Sequence, residues 1–368
     1  SYLMNFYLFN DNEMVKRTTW LLAGKAPITS HINTIMDYTF YWFNSIYDYY
    51  LYSGDRHFLS QIYPTMQTYM AYVLGRTDED GMVQGLPGDW VFVDWADKPM
   101  DKHGQLAFEQ ILFRKSLESI AAVAGIVGDD DSSAKYQELA DKLGEKLLPY
   151  FWNEDKQALM HNRKDGKQGN DVFRYPNMFA IMYGYLDKEK QEAVKHSVIL
   201  NDDVLRITTP YMRFYELEAL CMLGEQDQVM KEIKAYWGGM LREGATSFWE
   251  KYNPDEHGSD KLAMYGRPYG KSLCHAWGAS PIYLLGRYYL GVEPVKPGFE
   301  EYTVRPTLGG LEWMEGNVPT PFGTVYVKMD KASVTVKADG GCGTLIVGRG
   351  ENEKHIEIQP GKETTVNL

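Results

Sequence analysis

Glu250 is the residue of this sequence whose surroundings are best suited to chemistry. It lies in the stretch EGATSFWEKYNP, in which Gly244 ends a helical run and Trp249 directly precedes the glutamate. A large aromatic side chain can exclude water from a neighbouring carboxylate, as a poised general base requires. The alternative is a loop carboxylate paired with Lys251 or Arg267. The small residues before the tryptophan favour the first interpretation, because they let another molecule approach the backbone closely.

A second candidate region is the segment of residues 78–104, DEDGMVQGLPGDWVFVDWADKPMDKHG, which is too polar to form a core. A loop of this length is usually functional or disordered, and this one has too many rings to be disordered. Rings can lie on the C–H bonds of a sugar, and carboxylates accept hydrogen bonds from its hydroxyl groups. The alternative is an aromatic plug that packs against the helices. The candidate side chains are Trp90, Trp95, Asp89, Asp94 and Asp97.

His275 and Trp42 are further candidates, and each has an ordinary structural alternative. His275 lies between Cys274 and Trp277 and is predicted on the face of the last long helix, where the alternative is a core histidine. Trp42 follows Asp37 by five positions on an aromatic helix. For Asp37 and Trp42, helix packing is the favoured interpretation, and a pocket wall is the alternative.

The motifs of the sequence exclude several classes of chemistry. It contains no His-x-x-x-His, no paired cysteines and no acidic calcium loop, which are the spacings that metal sites use. It also contains no complete phosphate loop and no G-x-S-x-G nucleophile motif. Glycoside hydrolysis remains, because it needs only carboxylates, rings and a shaped pocket. We therefore expect no metal and no cofactor.

The composition narrows the class of partner. The 27 tyrosines and 9 tryptophans supply rings with polar tips, and the net charge of −12 disfavours nucleic acid as a ligand. The sequence has no run of eighteen apolar residues, so no membrane span is expected. Three cysteines without paired spacing are expected to be free, buried thiols: Cys221, Cys274 and Cys342.

Paired helices are predicted to position these candidates from residue 1 to about residue 290. One helix is predicted to begin after Asn10 as N-cap, with Glu13 in the capping-box position. The aromatic helix MDYTFYWFNSIYDYYLYSGD ends at Gly54, and a later apolar stripe ends at Gly128. Helix, short turn, helix and longer loop recur, a pattern that suits a closed helical toroid whose loops collect on one rim.

The hydrophobic period changes to two after about residue 293. Short alternating runs bounded by Gly, Pro or Asp follow, and they predict a small antiparallel β domain. The runs are GTVYVKMD, ASVTVKAD, GTLIVGRG, KHIEIQPG and ETTVNL. The sequence therefore predicts a large helical domain over residues 1–292 and a β domain over residues 293–368.

Three segments carry a resemblance to a known family: TPYMRFYELEALCMLG, YWGGMLREGATSFWEKYNP and YGKSLCHAWGASPIYLLGRYYLGVEPVKPGFEEYTVRP. They resemble the catalytic domain of the bacterial α-L-rhamnosidases, glycoside hydrolase family 78. GDWVFVDW resembles the tryptophan-bearing loop of that family, and GGLEWMEGNVPTPFGTVYVKMD resembles its C-terminal β-sandwich. The resemblance covers essentially the whole chain. It implies a mainly α fold, an (α/α)6 barrel of the six-hairpin glycosidase type with its first helices missing, followed by a small antiparallel β-sandwich.

The resemblance also implies an activity, the inverting hydrolysis that releases terminal α-L-rhamnose from glycans or plant glycosides. Glu250 matches the glutamate taken as the general base, which activates water. His275 matches the histidine that contacts the sugar, and Trp90 or Trp95 matches the tryptophan that lines the pocket. Together with the loop candidates, the expected substrate-binding residues are His275, Trp90, Trp95, Asp89, Trp249 and Trp42.

One motif of the family is absent from the sequence, the acidic, arginine-containing motif ending in Trp-x-Gly-Asp that holds the general acid. In the family it lies just upstream of the helix that begins here with SYLMNFYLF. We expect this sequence to be a piece of a longer protein, in contact with N-terminal domains that it lacks. A substitute acid such as Asp89 or Asp94 is the alternative. On the first interpretation this chain is nearly inactive on an aryl rhamnoside.

Two other functions remain open at this point. One is a six-hairpin glycosidase that acts on fucose, glucose or galactose. The other is a non-catalytic carbohydrate-binding protein that keeps the pocket without the acid and base. The compartment also remains open, since bacterial relatives occur inside and outside the cytoplasm.

Overall fold

The computed structural model describes residues 1–96 and 99–368, so the candidate Asp97 lies outside the described residues. No helix in this described part is long and apolar enough to cross a membrane. The described residues form eleven α-helices: α1 Tyr2–Leu8, α2 Asn12–Ala23, α3 Met36–Ser53, α4 Arg56–Leu74, α5 Ala107–Val127, α6 Asp130–Phe151, α7 Arg174–Met182, α8 Lys188–Val194, α9 Pro210–Met222, α10 Gln226–Arg242 and α11 Ser280–Leu284. One π-helical turn continues α8 over Lys195–Ile199, and another continues α11 over Leu285–Tyr289.

The predicted helix pairs are present, and glycines end them as expected. Gly54 separates α3 from α4 with φ 72°, and Gly128 separates α5 from α6 with φ 94°. Only a residue without Cβ adopts these angles at little cost. Asp129 then caps α6, because its carboxylate accepts a hydrogen bond from the Ser132 backbone N–H at 3.1 Å.

Two helix predictions are wrong. Asn10 does not cap α2, which begins two residues later; Asn10 instead has φ 51° and its backbone N–H donates to the Asn5 carbonyl. His275 does not lie on a helix, because α11 starts only at Ser280. Pro281 in the first turn fixes this start, since proline has no N–H to donate and is tolerated only there.

Short strands interrupt the helical region just before α5 and between α6 and α7. They are β1 Gln105–Leu106, β2 Trp152–Asn153, β3 Ala158–Leu159, β4 Asn162–Lys164 and β5 Lys167–Gln168. The turn between β4 and β5 is formed by Asp165 and Gly166, with φ of 50° and 75°. Positive φ at both positions is typical of a two-residue hairpin turn.

The C-terminal region contains two four-stranded sheets, ordered β13-β10-β9-β8 and β12-β11-β7-β6. Their strands are β6 Val292–Pro294, β7 Glu301–Val304, β8 Trp313–Thr320, β9 Gly323–Asp330, β10 Ser333–Ala338, β11 Cys342–Val347, β12 Lys354–Ile358 and β13 Glu363–Asn367. The first sheet is antiparallel as predicted. The second is mixed, because β7 and β11 pair in parallel. A long connection separates these two strands, which is what a parallel pairing requires.

The cysteines are free, as predicted, but only Cys221 is buried. Cys274 and Cys342 are exposed, so the prediction of buried thiols is wrong for these two. Cys274 lies in the loop before α11 and Cys342 begins β11. Neither position belongs to the apolar side of an element.

The chain divides into two compact units. The first contains Ser1–Asn12, Tyr49–Gly54 and Thr208–Leu368, and the second contains Glu13–Asp48 and Asp55–Ile207. In the first unit α9 packs against α10 and α11, and in the second α5 packs against α4, α6 and α7. The predicted division into residues 1–292 and 293–368 stays a prediction. The candidate residues divide between these units. Trp249, Glu250 and His275 lie in the first unit, and Trp42, Asp89, Trp90, Asp94 and Trp95 lie in the second.

Candidate active site

The first unit holds Glu250 in a rigid backbone frame. Its backbone N–H donates to the Ser272 carbonyl at 2.9 Å, and the Ser272 backbone N–H donates to Glu250 Oε2 at 3.0 Å. The Trp277 indole N–H donates to the Glu250 carbonyl at 3.0 Å. Only 3% of the residue is exposed. The carboxylate therefore has a fixed direction and little contact with bulk water.

Tyr265 is a partner of Glu250 that the sequence did not suggest. It sits in the tight turn between Met264 and Arg267, whose backbones exchange two hydrogen bonds. Tyr265 and Gly266 have φ of 57° and 70° there. A bulky residue rarely adopts such an angle. The phenol O–H of Tyr265 donates to Glu250 Oε1, so donors hold both oxygens of the carboxylate.

His275 lies on the other side of the same carboxylate. Its Nδ1 is 3.9 Å from Glu250 Oε2, beyond hydrogen-bond length, and its backbone N–H donates to the Phe248 carbonyl at 2.8 Å. Burial lowers the pKa of His275 below its ordinary value, and the Glu250 charge opposes that shift. The imidazole is therefore neutral at pH 7, and its side chain is 31% exposed.

Aromatic rings extend this arrangement. The His275 ring lies 4.3 Å from the Trp277 ring, which stacks on Tyr211 at 5.0 Å and 12° between planes. Trp249 is buried, 5% exposed, and packs at 6.4 Å from the Tyr252 ring. A buried carboxylate, a half-buried neutral imidazole and stacked rings can together orient a water molecule and a polyhydroxylated ligand.

Asp89 and Trp90, in the second unit, shape the tryptophan-bearing segment. Asp89 Oδ2 accepts from Arg76 at 2.5 Å and from the Leu86 backbone N–H at 2.9 Å, and its side chain is 5% exposed. Asp89 thus closes a turn. Trp90 pairs with the chain before α3, since its backbone N–H donates to the Thr34 carbonyl at 2.8 Å. The Trp90 side chain is 44% exposed.

Three rings form an aromatic cluster in this segment: Trp90, Phe92 and Trp95. Phe92 is the central ring, 5.4 Å from Trp90 and 5.0 Å from Trp95, and the two tryptophans are 5.9 Å apart. Phe92 is buried, whereas Trp90 is largely exposed. The aromatic cluster is therefore anchored through its phenylalanine and offers tryptophan surface outward.

Asp94 stands between Phe92 and Trp95 in the chain and is 3% exposed. Its Oδ2 accepts from the Tyr175 phenol at 3.0 Å, and its Oδ1 accepts from the Trp95 backbone N–H at 2.9 Å. Trp42 is even more enclosed, at 2% exposed, and its indole N–H donates to the Thr19 carbonyl at 3.0 Å. For Trp42 these contacts are those of helix packing, and its role as a pocket wall stays a prediction.

Two fully buried carboxyl groups, Asp37 and Glu109, lie next to the backbone of the aromatic cluster. Asp37 accepts from the Phe92 and Val93 backbone N–H groups at 3.1 and 2.7 Å. Glu109 faces Asp37, and within the described residues neither of its oxygens has another hydrogen-bond partner. Burial, followed by the Asp37 charge, raises the pKa of Glu109 well above its usual range. The sequence analysis missed Glu109 because it stands among apolar residues of α5.

Lys102 is the cation of this region. Its ammonium group donates to the Phe92 carbonyl and lies 5.9 Å from the Phe92 ring centre. Burial lowers the pKa of Lys102, and the charges of Asp37, Asp94 and Glu109 oppose that shift. Across residues 1–96 and 99–368, no group of three or more His, Cys, Asp or Glu side chains is arranged to hold a metal ion.

Comparison with known proteins gives consistent matches. A family model described as the bacterial alpha-L-rhamnosidase 6 hairpin glycosidase domain matches residues 25–289. A second, described as the bacterial alpha-L-rhamnosidase C-terminal domain, matches residues 291–339. An alpha-L-rhamnosidase of Alteromonas sp. (strain LOR) is 24% identical over 310 residues, which are 79% of this chain and 31% of that protein.

Solved structures show the same fold. The GH78 family rhamnosidase of Bacillus sp. GL1 matches with a TM-score of 0.78 and 27% identity, over 89% of this chain and 35% of that one. A Klebsiella oxytoca rhamnosidase with rhamnose bound matches with a TM-score of 0.64 and 22% identity, over 78% of this chain and 56% of that one. The predicted fold class is thereby confirmed. The chain spans only about a third of the length of the Alteromonas and Bacillus proteins.

Proposed function

Because the chain belongs to the bacterial alpha-L-rhamnosidase six-hairpin glycosidase family, we propose that it carries the general-base part of an inverting site for terminal α-L-rhamnose. The substrates are rhamnose-containing glycans or plant glycosides. The observation that carries the proposal is the Glu250 carboxylate, which is 3% exposed and fixed by Ser272 and Tyr265. A base must be held in this way to act in one direction.

In the proposed reaction Glu250 takes a proton from water while the water oxygen attacks C1 of the sugar. The bond from C1 to the leaving group breaks on the opposite face, so the anomeric configuration inverts. His275 is proposed to hold a sugar hydroxyl, because its imidazole is partly exposed beside the carboxylate. Trp90 and Trp95 are proposed to contact a sugar through their faces. Rhamnose suits apolar rings because it carries a methyl group where most hexoses carry a hydroxymethyl group.

The general acid is proposed to come from a polypeptide segment outside this sequence. The support is the length of the relatives, of which the chain covers 31% and 35%. Contacts with further N-terminal segments are part of the same proposal. Asp89 is poorly suited as a substitute, because Arg76 and the Leu86 backbone N–H occupy its Oδ2. Asp94 is likewise held by Tyr175 and the Trp95 backbone N–H.

A substrate that needs no general acid tests the proposal with the chain as it stands. Fluoride leaves without protonation, so the chain should hydrolyse α-L-rhamnosyl fluoride while acting only slightly on an aryl α-L-rhamnoside. Proton NMR should show β-L-rhamnose as the first product. The matched fluorides of L-fucose, D-glucose and D-galactose test the rival glycosidases.

Four outcomes would contradict the proposal or a part of it. A first product of α configuration would exclude inversion, and faster hydrolysis of another glycosyl fluoride would exclude rhamnose as the substrate. L-rhamnose binding in a calorimeter without hydrolysis of the fluoride would favour a carbohydrate-binding protein. Full turnover of the aryl rhamnoside would contradict the external general acid.

A further inference from the structure

The carboxyl pair, Asp37 and Glu109, has no role in the reaction described above. We propose that these two residues share one proton and act as positioning residues, which set the aromatic cluster of Trp90, Phe92 and Trp95 for contact with a sugar. The inference rests on the proposed function only for the sugar contact. The shared proton and the support of the cluster are properties of the second unit alone.

Asp37 contacts the backbone of the aromatic cluster directly. Its two oxygens accept from the N–H groups of Phe92 and Val93, at 3.1 and 2.7 Å. Phe92 is the ring that touches both tryptophans. A carboxylate that fixes this peptide therefore fixes the centre of the aromatic cluster.

The backbone at Val93 needs such support. Its φ is 57°, in the left-handed region, and Val93 is fully buried. A β-branched residue is a genuine outlier there, in a strained conformation. The conformation persists only where the surroundings hold it, and Asp37 holds the Val93 N–H directly. Loss of the carboxylate would let this peptide relax.

Glu109 is the second member of the carboxyl pair. It is fully buried on α5, and its oxygens have no other hydrogen-bond partner within the described residues while they face Asp37. Two ionised carboxylates in contact repel each other strongly where water is excluded. A protonated Glu109 removes that repulsion and donates its O–H to Asp37, which stays aimed at the two amides. Burial raises the pKa of Asp37, and the hydrogen bond from Glu109 opposes that shift. One proton thus satisfies both side chains.

The neighbouring titratable groups are compatible with one negative charge on the carboxyl pair. Lys102 interacts with both members and donates to the Phe92 carbonyl, so it holds the same residue from the other side. Asp94 is occupied by Tyr175 and the Trp95 backbone N–H. Tyr38 adjoins Asp37 on α3, and burial and the Asp37 charge raise the pKa of its phenol, so it stays neutral.

A purely space-filling role would not need an acid at position 109. The neighbours Phe108, Ile111 and Leu112 on α5 are apolar and buried. An apolar side chain of similar size would fill the same volume without the cost of burying a carboxyl group. The acid is explained by the proton that it donates.

Three variants test the proposal: Glu109→Gln, Glu109→Leu and, as a control, Glu118→Gln. Glu109→Gln keeps the shape and an N–H donor for Asp37, whereas Glu109→Leu keeps the volume and removes the donor. Glu118 lies on the same helix in a partly exposed cluster with Arg114 and Lys115. Infrared difference spectra at pH 7, wild type minus variant, should show the C=O stretch of a protonated carboxyl group for both variants at position 109 and not for the control.

Tryptophan fluorescence and affinity report the positioning. We expect Glu109→Gln to retain the wild-type emission and acrylamide quenching, and Glu109→Leu to increase the quenching. L-rhamnose affinity should fall about tenfold in Glu109→Leu, which corresponds to the loss of one aromatic contact. In Glu109→Gln it should stay within about twofold of the wild-type affinity. Thermal unfolding checks that each variant is folded.

Two results would overturn the inference. One is a wild type without the protonated carboxyl signal, and the other is a folded Glu109→Leu variant with unchanged quenching. If instead wild-type protein binds no L-rhamnose while the infrared and quenching results hold, the proposed function fails and the support of the cluster stands. The two failures are thus distinguishable, because only the affinity measurement involves sugar.

Discussion

Glu250 and Glu109 are both buried glutamates, with 3% and 0% of the residue exposed, yet their partners differ in kind. Glu250 accepts from a phenol O–H and a peptide N–H. Glu109 faces another carboxyl group. A neighbouring acid favours the neutral form of a carboxyl group. The two glutamates therefore differ in their surroundings, since donors fix the direction of Glu250 and an acid faces Glu109.

The largest expected effect follows from replacing Glu250. Glu250→Gln should slow hydrolysis of α-L-rhamnosyl fluoride about 10²- to 10⁴-fold, since the amide cannot take a proton from water. Calorimetry should show L-rhamnose binding close to that of the wild type. Glu256→Gln is the control, because Glu256 lies in the following loop and pairs with Lys271 at 3.1 Å. Equal rates in the wild type and Glu250→Gln would remove Glu250 from the reaction.

The next effect concerns Asp37. Asp37→Ala leaves the buried N–H groups of Phe92 and Val93 without their acceptor, so the free energy of unfolding should fall by about 1–3 kcal/mol. Urea titration measures this change. Asp202→Asn in the same unit is the control, because its ion pair with Arg206 is largely exposed and should contribute little. A loss no larger than that of the control would show that Asp37 does not hold the segment.

The pH dependence of stability tests the proton on Glu109. The folded state keeps the proton of Glu109 above the pH at which the unfolded chain releases it, because the pKa is raised in the folded state. The contribution of Glu109 to the free energy of unfolding should therefore fall as pH rises from about 4.3, by at most about 1.4 kcal/mol per pH unit for one proton.

Glu109→Gln should flatten this decline. The variant cannot release a proton at position 109, so the free energy of unfolding of the wild type minus that of the variant, measured by denaturant titration, should fall between about pH 5 and pH 8. Glu118→Gln should keep the wild-type slope. Identical slopes for the wild type and Glu109→Gln would mean that Glu109 is ionised in the folded protein.

The smallest expected effect is that of Tyr265→Phe. Removing the phenol O–H frees Glu250 Oε1 from one donor and leaves the Ser272 N–H in place. Hydrolysis of the rhamnosyl fluoride should slow roughly two- to tenfold, the size of one hydrogen bond. Tyr269→Phe is the control, because Tyr269 lies in the same loop and is 77% exposed. If both variants slow equally, the Tyr265 contact has no part in orienting the base.

Local rules account for the parts of the fold that the sequence predicted. Gly54 and Gly128 end helices because they need positive φ, and a period of two predicts the strands from β9 to β13. The strand β8 escaped this rule because Gly316, Asn317 and Pro319 interrupt its alternation. The parallel pairing of β7 with β11 depends on contacts between distant segments. No local pattern encodes such a pairing.

The same distinction holds for the candidate site. The aromatic and acidic neighbours of Glu250 could be seen in the sequence, and so could the tryptophans of residues 78–96. Tyr265 could not, because its contact depends on a turn with two residues at positive φ. Glu109 could not either, because an acid on an apolar helical stripe has no local partner and its partner Asp37 is 72 positions away. Tertiary contacts bring Tyr265 and Glu109 to their partners, and a local sequence pattern does not show such contacts.

Glu250 and Ser272 are joined by a backbone hydrogen bond and by a hydrogen bond to the carboxylate. The position of the proposed base therefore does not depend on the length of the loop between these two residues. Closing a longer loop costs little more entropy than closing a short one, because the cost rises only with the logarithm of its length. Apart from the turn that carries Tyr265, residues 251–271 can therefore lengthen or shorten during evolution while Glu250 stays in place. Variation of this loop can thus change the surface beside Glu250 and leave the carboxylate in place.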